Sequence, residues 1–263
     1  MSILFEEFFY LRERKNLPIN IIENYNTNYN NNGPYEGQMR CPECHLAELR
    51  FTPSTSSRRA FLSAIDLDKH ADGCSYKYER ASSKAIQKYF EDLTNQQVKD
   101  KLVSMLRMMN RKKEAQGYPR NPQSQDPDSN PFICSDKDQK KYYRKALPRR
   151  SLNRPLVVED ANLLCAFYGQ SVYLSVDTVH KESPDKTPYV YHRLKIKTNN
   201  NMMYSIYRGV HYDDVEDGKI YNIVFIGSFD KSKLKYFEKN IDLIKDGNFF
   251  NQFALAIEEV ANQ

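Results

Sequence analysis

Residues 41–74 read CPECHLAELRFTPSTSSRRAFLSAIDLDKHADGC, and the spacing of their thiols and imidazole organises the first half of the chain. Cys41 and Cys44 form a C-x-x-C turn; after 25 intervening residues, His70 and Cys74 form an H-x3-C pair. A C-x-x-C turn brings two thiolates within reach of one ion, and its backbone can aim amide N–H groups at the sulfurs. At one helical turn apart, His70 and Cys74 would share a face. Three thiolates and one imidazole close a tetrahedral shell, which stabilises structure and leaves no position for substrate. The predicted ligands are Cys41, Cys44, His70 and Cys74, and the predicted cofactor is a structural Zn2+. His45, beside Cys44, is an alternative to His70. Between the pairs, 46–52 and 59–65 read as a hairpin around a turn at 54–57, which gives the segment treble-clef-like logic.

Working outward, residues 1–17 carry apolar positions (Leu4, Phe5, Phe8, Phe9, Leu11) that suggest a short amphipathic helix, stopped by Pro18. The Asn- and Tyr-rich stretch 19–34 reads as a loop. After the ligands, Ile86, Tyr89, Phe90 and Leu93 mark one helical stripe, and Val98, Leu102, Met105, Leu106 and Met109 mark another. Thr94 with Gln97 forms a capping box between them. Residues 115–131 contain four prolines and few apolar groups, the signature of a linker. A basic stretch then leads into the second half.

From residue 163 the period changes toward two. Strands are predicted at 163–168, 172–179, 189–198, 202–208 and 220–226, with a hairpin turn at Asn199-Asn200-Asn201. Helical patterns are expected at 231–240 and 249–260. The predicted fold is α+β: a treble-clef-like zinc module with helices, then a small β-rich domain with closing helices, for which an OB-like barrel is one candidate. The corresponding divisions are 1–38, 39–114, 115–155 and 156–263.

The net charge is +5, a mild excess. Basic groups cluster at Arg58-Arg59, Arg111-Lys112-Lys113, Lys140-Lys141, Arg144-Lys145, Arg149-Arg150 and Arg154. Arg58, Arg59, Lys112, Lys113, Lys141, Arg149, Arg150 and Arg154 are the candidate phosphate contacts. Cations beside aromatic rings suit single strands, because charge neutralises phosphate while rings stack on bases. Tyr189, Tyr191, Tyr204 and Tyr207 would supply a stacking face on an OB-like sheet; ordinary sheet packing is the simpler role for each. His211 with Asp213 and Asp214 is a candidate hydrolytic metal site, set against a solvated acidic loop before Gly218. Cys165 sits among apolar neighbours and reads as a core thiol. Phosphate-binding glycine loops, nucleophile elbows and H-E-x-x-H are absent, which argues against the common enzyme classes. No run reaches the roughly 18 apolar residues of a membrane span. No export signal is legible, so the expected location is cytoplasmic.

The segment RCPECHLAELRFTPSTSSRRAFLSAIDLDKHADGCSYKYERASSKAIQKYF resembles the N-terminal zinc segment of competence CoiA-like proteins, a bacterial family. The likeness spans residues 39–90: a CPxC knuckle, a hairpin with a basic turn, an H…C pair and a following helix. CoiA-like proteins also carry a nuclease-like domain with an acid and a downstream E-x-K. Here Arg193-Leu194-Lys195 lacks the acid, so nuclease activity is not carried over. The expected function is that of a nucleic-acid-binding accessory protein with single-stranded DNA as favoured partner, in DNA uptake, mobile-element maintenance or phage defence. The alternatives are a protein-interaction module with structural zinc and a metal-dependent nuclease.

Overall fold

The structure, a computed structural model, describes residues 5–56, 58–110, 126–136, 143–156, 160–185, 187–229 and 248–260. It is α+β, with mostly antiparallel strands. In chain order the elements are β1 (Glu7–Tyr10), β2 (Lys15–Pro18), α1 (Asn20–Tyr29), β3 (Met39–Arg40), β4 (Leu49–Thr52), β5 (Phe61–Ala64), α2 (Ser83–Glu91) and α3 (Asn95–Asn110). There follow β6 (Ile133–Asp136), β7 (Tyr143–Ala146), β8 (Arg149–Ser151), β9 (Cys165–Glu182), β10 (Pro188–Lys197), β11 (Met203–Gly209), β12 (Ile220–Phe229) and β13 (Asn248–Glu259). The chain divides into two compact units: unit 1 within 1–89 and 111–148, unit 2 within 90–110 and 149–263.

In unit 1, β1 pairs antiparallel with both β2 and β3, and β4 pairs with β5. The helix expected over 1–17 is therefore a hairpin among the described residues. Burial explains why: Phe8 and Tyr10 are buried and Glu7 and Phe9 less so, a period of two that the run of aromatics disguises. Pro18 ends a strand, where its missing N–H costs little. The expected Asn-rich loop is instead helix α1. Ile19 and Ile22 are fully buried, Tyr25 contacts Tyr29 one turn on, and Asn30 caps the end in the left-handed region at φ 55°. Packing of the isoleucines overrides the weak helix propensity of asparagine. The expected hairpin of the cysteine segment is present as β4 and β5.

In unit 2, β9 runs through the two predicted strands 163–168 and 172–179 as one long strand. Its first part pairs with β12 and its second with β10. Gly169 lies near this change of partner, where a Cβ would come within 2.9 Å of Val172 Cγ1 and 3.2 Å of Ile223 Cγ2. β10 pairs with β11, β11 lies parallel to β13, and β13 pairs with β12. The pairings of β9, β10, β11, β13 and β12 thus run in a circuit, and β8 adds parallel to β9. Leu152, Phe167, Leu174, Leu194, Ile196, Ile206, Ile223 and Phe225 lie inside it. The expected helix at 249–260 is strand β13, because pairing on both sides outweighs the helical pattern of its side chains. The expected helix at 231–240 lies outside the described residues.

The helical region divides at Thr94 as predicted. Gln97 N–H donates to Thr94 Oγ1 (3.3 Å), and Thr94 N–H donates to Gln97 Oε1 (2.8 Å). Leu102, Met105 and Leu106 are buried, and α3 packs on β12 and β13, so it belongs to unit 2 and not to a 39–114 module. The stretch expected to be a linker ends in structure: Phe132 is fully buried in unit 1.

Candidate metal centre

The C-x-x-C turn is built by its own backbone. Cys41 N–H donates to Ala47 O (2.8 Å), and His45 N–H donates back to Cys41 O (2.9 Å). Closing the loop puts His45 in the left-handed region at φ 59°, a conformation that costs a non-glycine residue about 1–2 kcal/mol. The His45 ring stacks on Phe9 with centroids 3.8 Å apart. This position removes it as the alternative ligand.

The second pair is held without an α-helix. A short 3-10 turn at Leu67–Lys69, capped by Asp66, leads into His70, and another at Ser75–Lys77 follows Cys74. Both ligands have extended backbone, so the expected shared helical face is replaced by two short turns.

Cys41, Cys44, His70 and Cys74 converge, each buried, with all four ligand atoms within 4.8 Å of one another. His70 Nδ1 lies 3.5 Å from Cys44 Sγ and 3.4 Å from Cys74 Sγ, and Cys41 Sγ lies 3.7 Å from Cys74 Sγ. The four can hold a metal ion. Burial raises the Cys41 and Cys74 thiols well above the ordinary range. Hydrogen bonds from Cys41 and Cys74, with a further contribution from His70, pull the Cys44 thiol far down. A bound dication would stabilise all three as thiolates. His70 Nε2 is buried with no hydrogen-bond partner among the described residues. Its ring lies near Phe5 and Tyr76, at centroid distances of 6.2 and 6.4 Å.

Around the ligands runs a polar brace that sequence reasoning missed. Glu43 Oε1 accepts from Ser75 N–H (2.6 Å), and Glu43 Oε2 accepts from Ser75 Oγ–H (2.7 Å). Asn130 Nδ2 donates to Glu43 Oε1 (2.5 Å) and to Gly73 O (2.7 Å), while Asn130 Oδ1 accepts from Phe132 N–H (2.9 Å). One asparagine, 87 residues from Glu43, thereby ties both ligand pairs together. Nothing in its proline-rich setting signals that role.

The other candidates separate into groups. Lys112, Lys113 and Lys141 lie outside the described residues. Arg149 and Arg150 are buried, and Arg150 Nε donates to Asp160 Oδ1 at 2.6 Å, with side chains 4% and 2% exposed. They are internal groups, not phosphate contacts, because strand β8 is built into the sheet. Arg154 is half-buried. Arg59 lies 3.9 Å from Glu6 Oε1, and exposed Arg58 sits over the Phe61 ring at 4.5 Å. Asp213 is buried and takes a bidentate bond from Arg208 (2.6 and 2.7 Å). His211 lies 3.4 Å from the same carboxylate and is largely exposed. That carboxylate is committed to a guanidinium, and the described residues hold no second cluster of metal-ligating side chains. Cys165 is a core thiol, as expected.

Of the four tyrosines, Tyr204 points into the core at 1% exposure and does not belong to a stacking face. Tyr189 and Tyr207 are exposed, and Tyr191 is covered by its neighbours. No protein-family model matches this sequence, and no curated protein or solved structure matches it significantly.

Proposed function

We propose that the Cys3His group holds one structural zinc ion and that the protein is an accessory factor binding nucleic acid, with single-stranded DNA preferred. Zinc at about 2.3 Å from sulfur and about 2.0–2.1 Å from nitrogen implies tetrahedral edges of about 3.8 Å (S–S) and about 3.5 Å (S–N). The separations of 3.7, 3.5 and 3.4 Å agree with this. Four protein donors leave no site for water, so the ion would stabilise structure and not catalyse. The knuckle and hairpin support a treble-clef-like reading of the module.

The observation that carries the binding reading is the outward face of β9, β10 and β11. Strand alternation puts Val172, Leu174, Leu194, Ile196 and Ile206 inside; the outward row therefore includes Lys181, Arg193, Lys195 and Lys197, opposed by Asp177 alone among acids. Tyr189, Tyr191 and Tyr207 share that face. The order β9-β10-β11-β13-β12, with β11 and β13 parallel, supports an OB-like barrel in which β10 and β11 supply the ligand-binding strands. The CoiA-like resemblance of residues 39–90 favours a role in DNA uptake, mobile-element maintenance or phage defence.

Equilibrium binding of zinc-loaded protein to labelled single- and double-stranded DNA at two salt concentrations tests this. Tighter single-strand binding that weakens steeply with salt is expected. No binding at low salt would overturn it in favour of the protein-docking reading, for which Ile65 and Leu67, both exposed in unit 1, are the relevant observation.

A further inference from the structure

We infer that Tyr189 and Tyr207 are the two exposed rungs of an aromatic ladder, with the covered ring of Tyr191 between them as support, on which bases of a single strand stack, with Arg193 locked beside it as the phosphate contact. This deepens the nucleic-acid reading and rests on it.

The geometry begins with register. Tyr189 and Tyr191 are two apart on β10, so both point outward; their rings stack at 6.1 Å and 23°. Tyr207 on β11 pairs with Arg193, which places its ring diagonally across from Tyr191 at 5.2 Å. The three rings run across two strands without interruption. Arg193 Nη2 donates to Tyr191 Oη (2.8 Å), and its guanidinium carbon lies 5.2 Å from that ring's centroid. The guanidinium is thus fixed among the rings, so little rotamer entropy remains to be lost when it meets a phosphate. Lys195 lies 3.1 Å from Asp177, Arg193 stands opposite the same acid in the strand register, and Lys181 stands opposite Tyr189.

Tyr189 and Tyr207 are 44% and 52% exposed. These two rings flank and cover a third, and each keeps surface open to solvent beyond that contact. A duplex hides its base faces and would meet only the cations. A single strand offers both phosphates and ring faces, and every base has a ring face, so recognition here tolerates sequence.

The test uses the full chain, an oligothymidylate and an abasic oligomer of equal length and charge. Wild-type protein is expected to bind oligothymidylate well and the abasic strand weakly. The Tyr189→Ala/Tyr207→Ala double variant changes exposed groups only. It is expected to lose about tenfold to a hundredfold or more on oligothymidylate while binding the abasic strand as before. Tyr207→Phe keeps the ring and should bind like wild type. Zinc content and circular dichroism verify folding of each variant. Equal binding of both oligomers by wild type, or an equal loss on both in the double variant, would overturn the ladder while leaving nucleic-acid binding intact. No binding of either strand by wild type would overturn the ladder and the proposed function together.

Discussion

Unit 1 and unit 2 solve the same problem of burying a core by different means. The strands of unit 1 run two to four residues, and three of its buried core positions are Cys41, Cys44 and Cys74. In unit 2, β9 to β13 run seven to eighteen residues around aliphatic and aromatic side chains. Unit 1 also buries Phe8, Ile19, Ile22 and Leu62, but its cysteine turn and its second ligand pair are held by short turns, and a bound ion would join them. The described residues of unit 2 hold no such cluster of ligands. Stability in unit 1 should therefore follow the ion, and stability in unit 2 should follow packing.

The largest effect expected is removal of the ligands. The Cys41→Ser/Cys74→Ser variant, or wild type treated with a strong chelator, should lose hydrogen-exchange protection throughout unit 1 while β9 to β12 stay protected. Binding of structural zinc contributes about 10–16 kcal/mol in small modules. Full zinc stoichiometry in the double variant would refute the ligand assignment. The converse substitution is Phe225→Ala. Phe225 is fully buried and stacks on Phe167 at 5.4 Å. Truncation should cost about 3–5 kcal/mol in denaturant unfolding of unit 2, with metal content unchanged.

Asn130 sharpens the comparison within unit 1. It bridges Glu43 to Gly73, so Asn130→Ala leaves buried acceptors short of a donor, at about 1–3 kcal/mol. Because the brace orients both ligand pairs, zinc affinity should also fall by about 10–100-fold, measured by competition with a chromogenic chelator. Unchanged affinity would reduce Asn130 to a local loop contact.

These two units were unequally legible in the sequence. The ligand set could be read because metal chemistry constrains residue type and spacing strongly, and the structure brings Cys41, Cys44, His70 and Cys74 together. The strands of unit 2 could be read where one face is buried, as with Leu194 and Ile196 alternating with Arg193, Lys195 and Lys197. Three features were hidden. The aromatic run at Phe8–Tyr10 suits a helix or a strand, and only pairing with Lys15–Leu17 decides it. Residues 254–259 have helix-compatible composition, yet pair along β12. Arg149 and Arg150 look like a phosphate patch in sequence, and only the fold reveals the ion pair of Arg150 with Asp160. In each case a contact distant in sequence overrides the local signal.

The smallest expected effect tests where α3 belongs. Thr94 and Gln97 exchange hydrogen bonds at the start of α3, satisfying two N–H groups that the helix cannot. Thr94→Ala should cost about 0.5–2 kcal/mol, and Thr94→Ser should cost little because its hydroxyl caps equally well. The loss should appear in unfolding of unit 2, where α3 packs on β12 and β13, and zinc affinity should not move. A fall in zinc affinity with no change in unit 2 would assign α3 to the metal module instead, and the division of labour between an ion-held unit and a packed one would have to be drawn at a different residue.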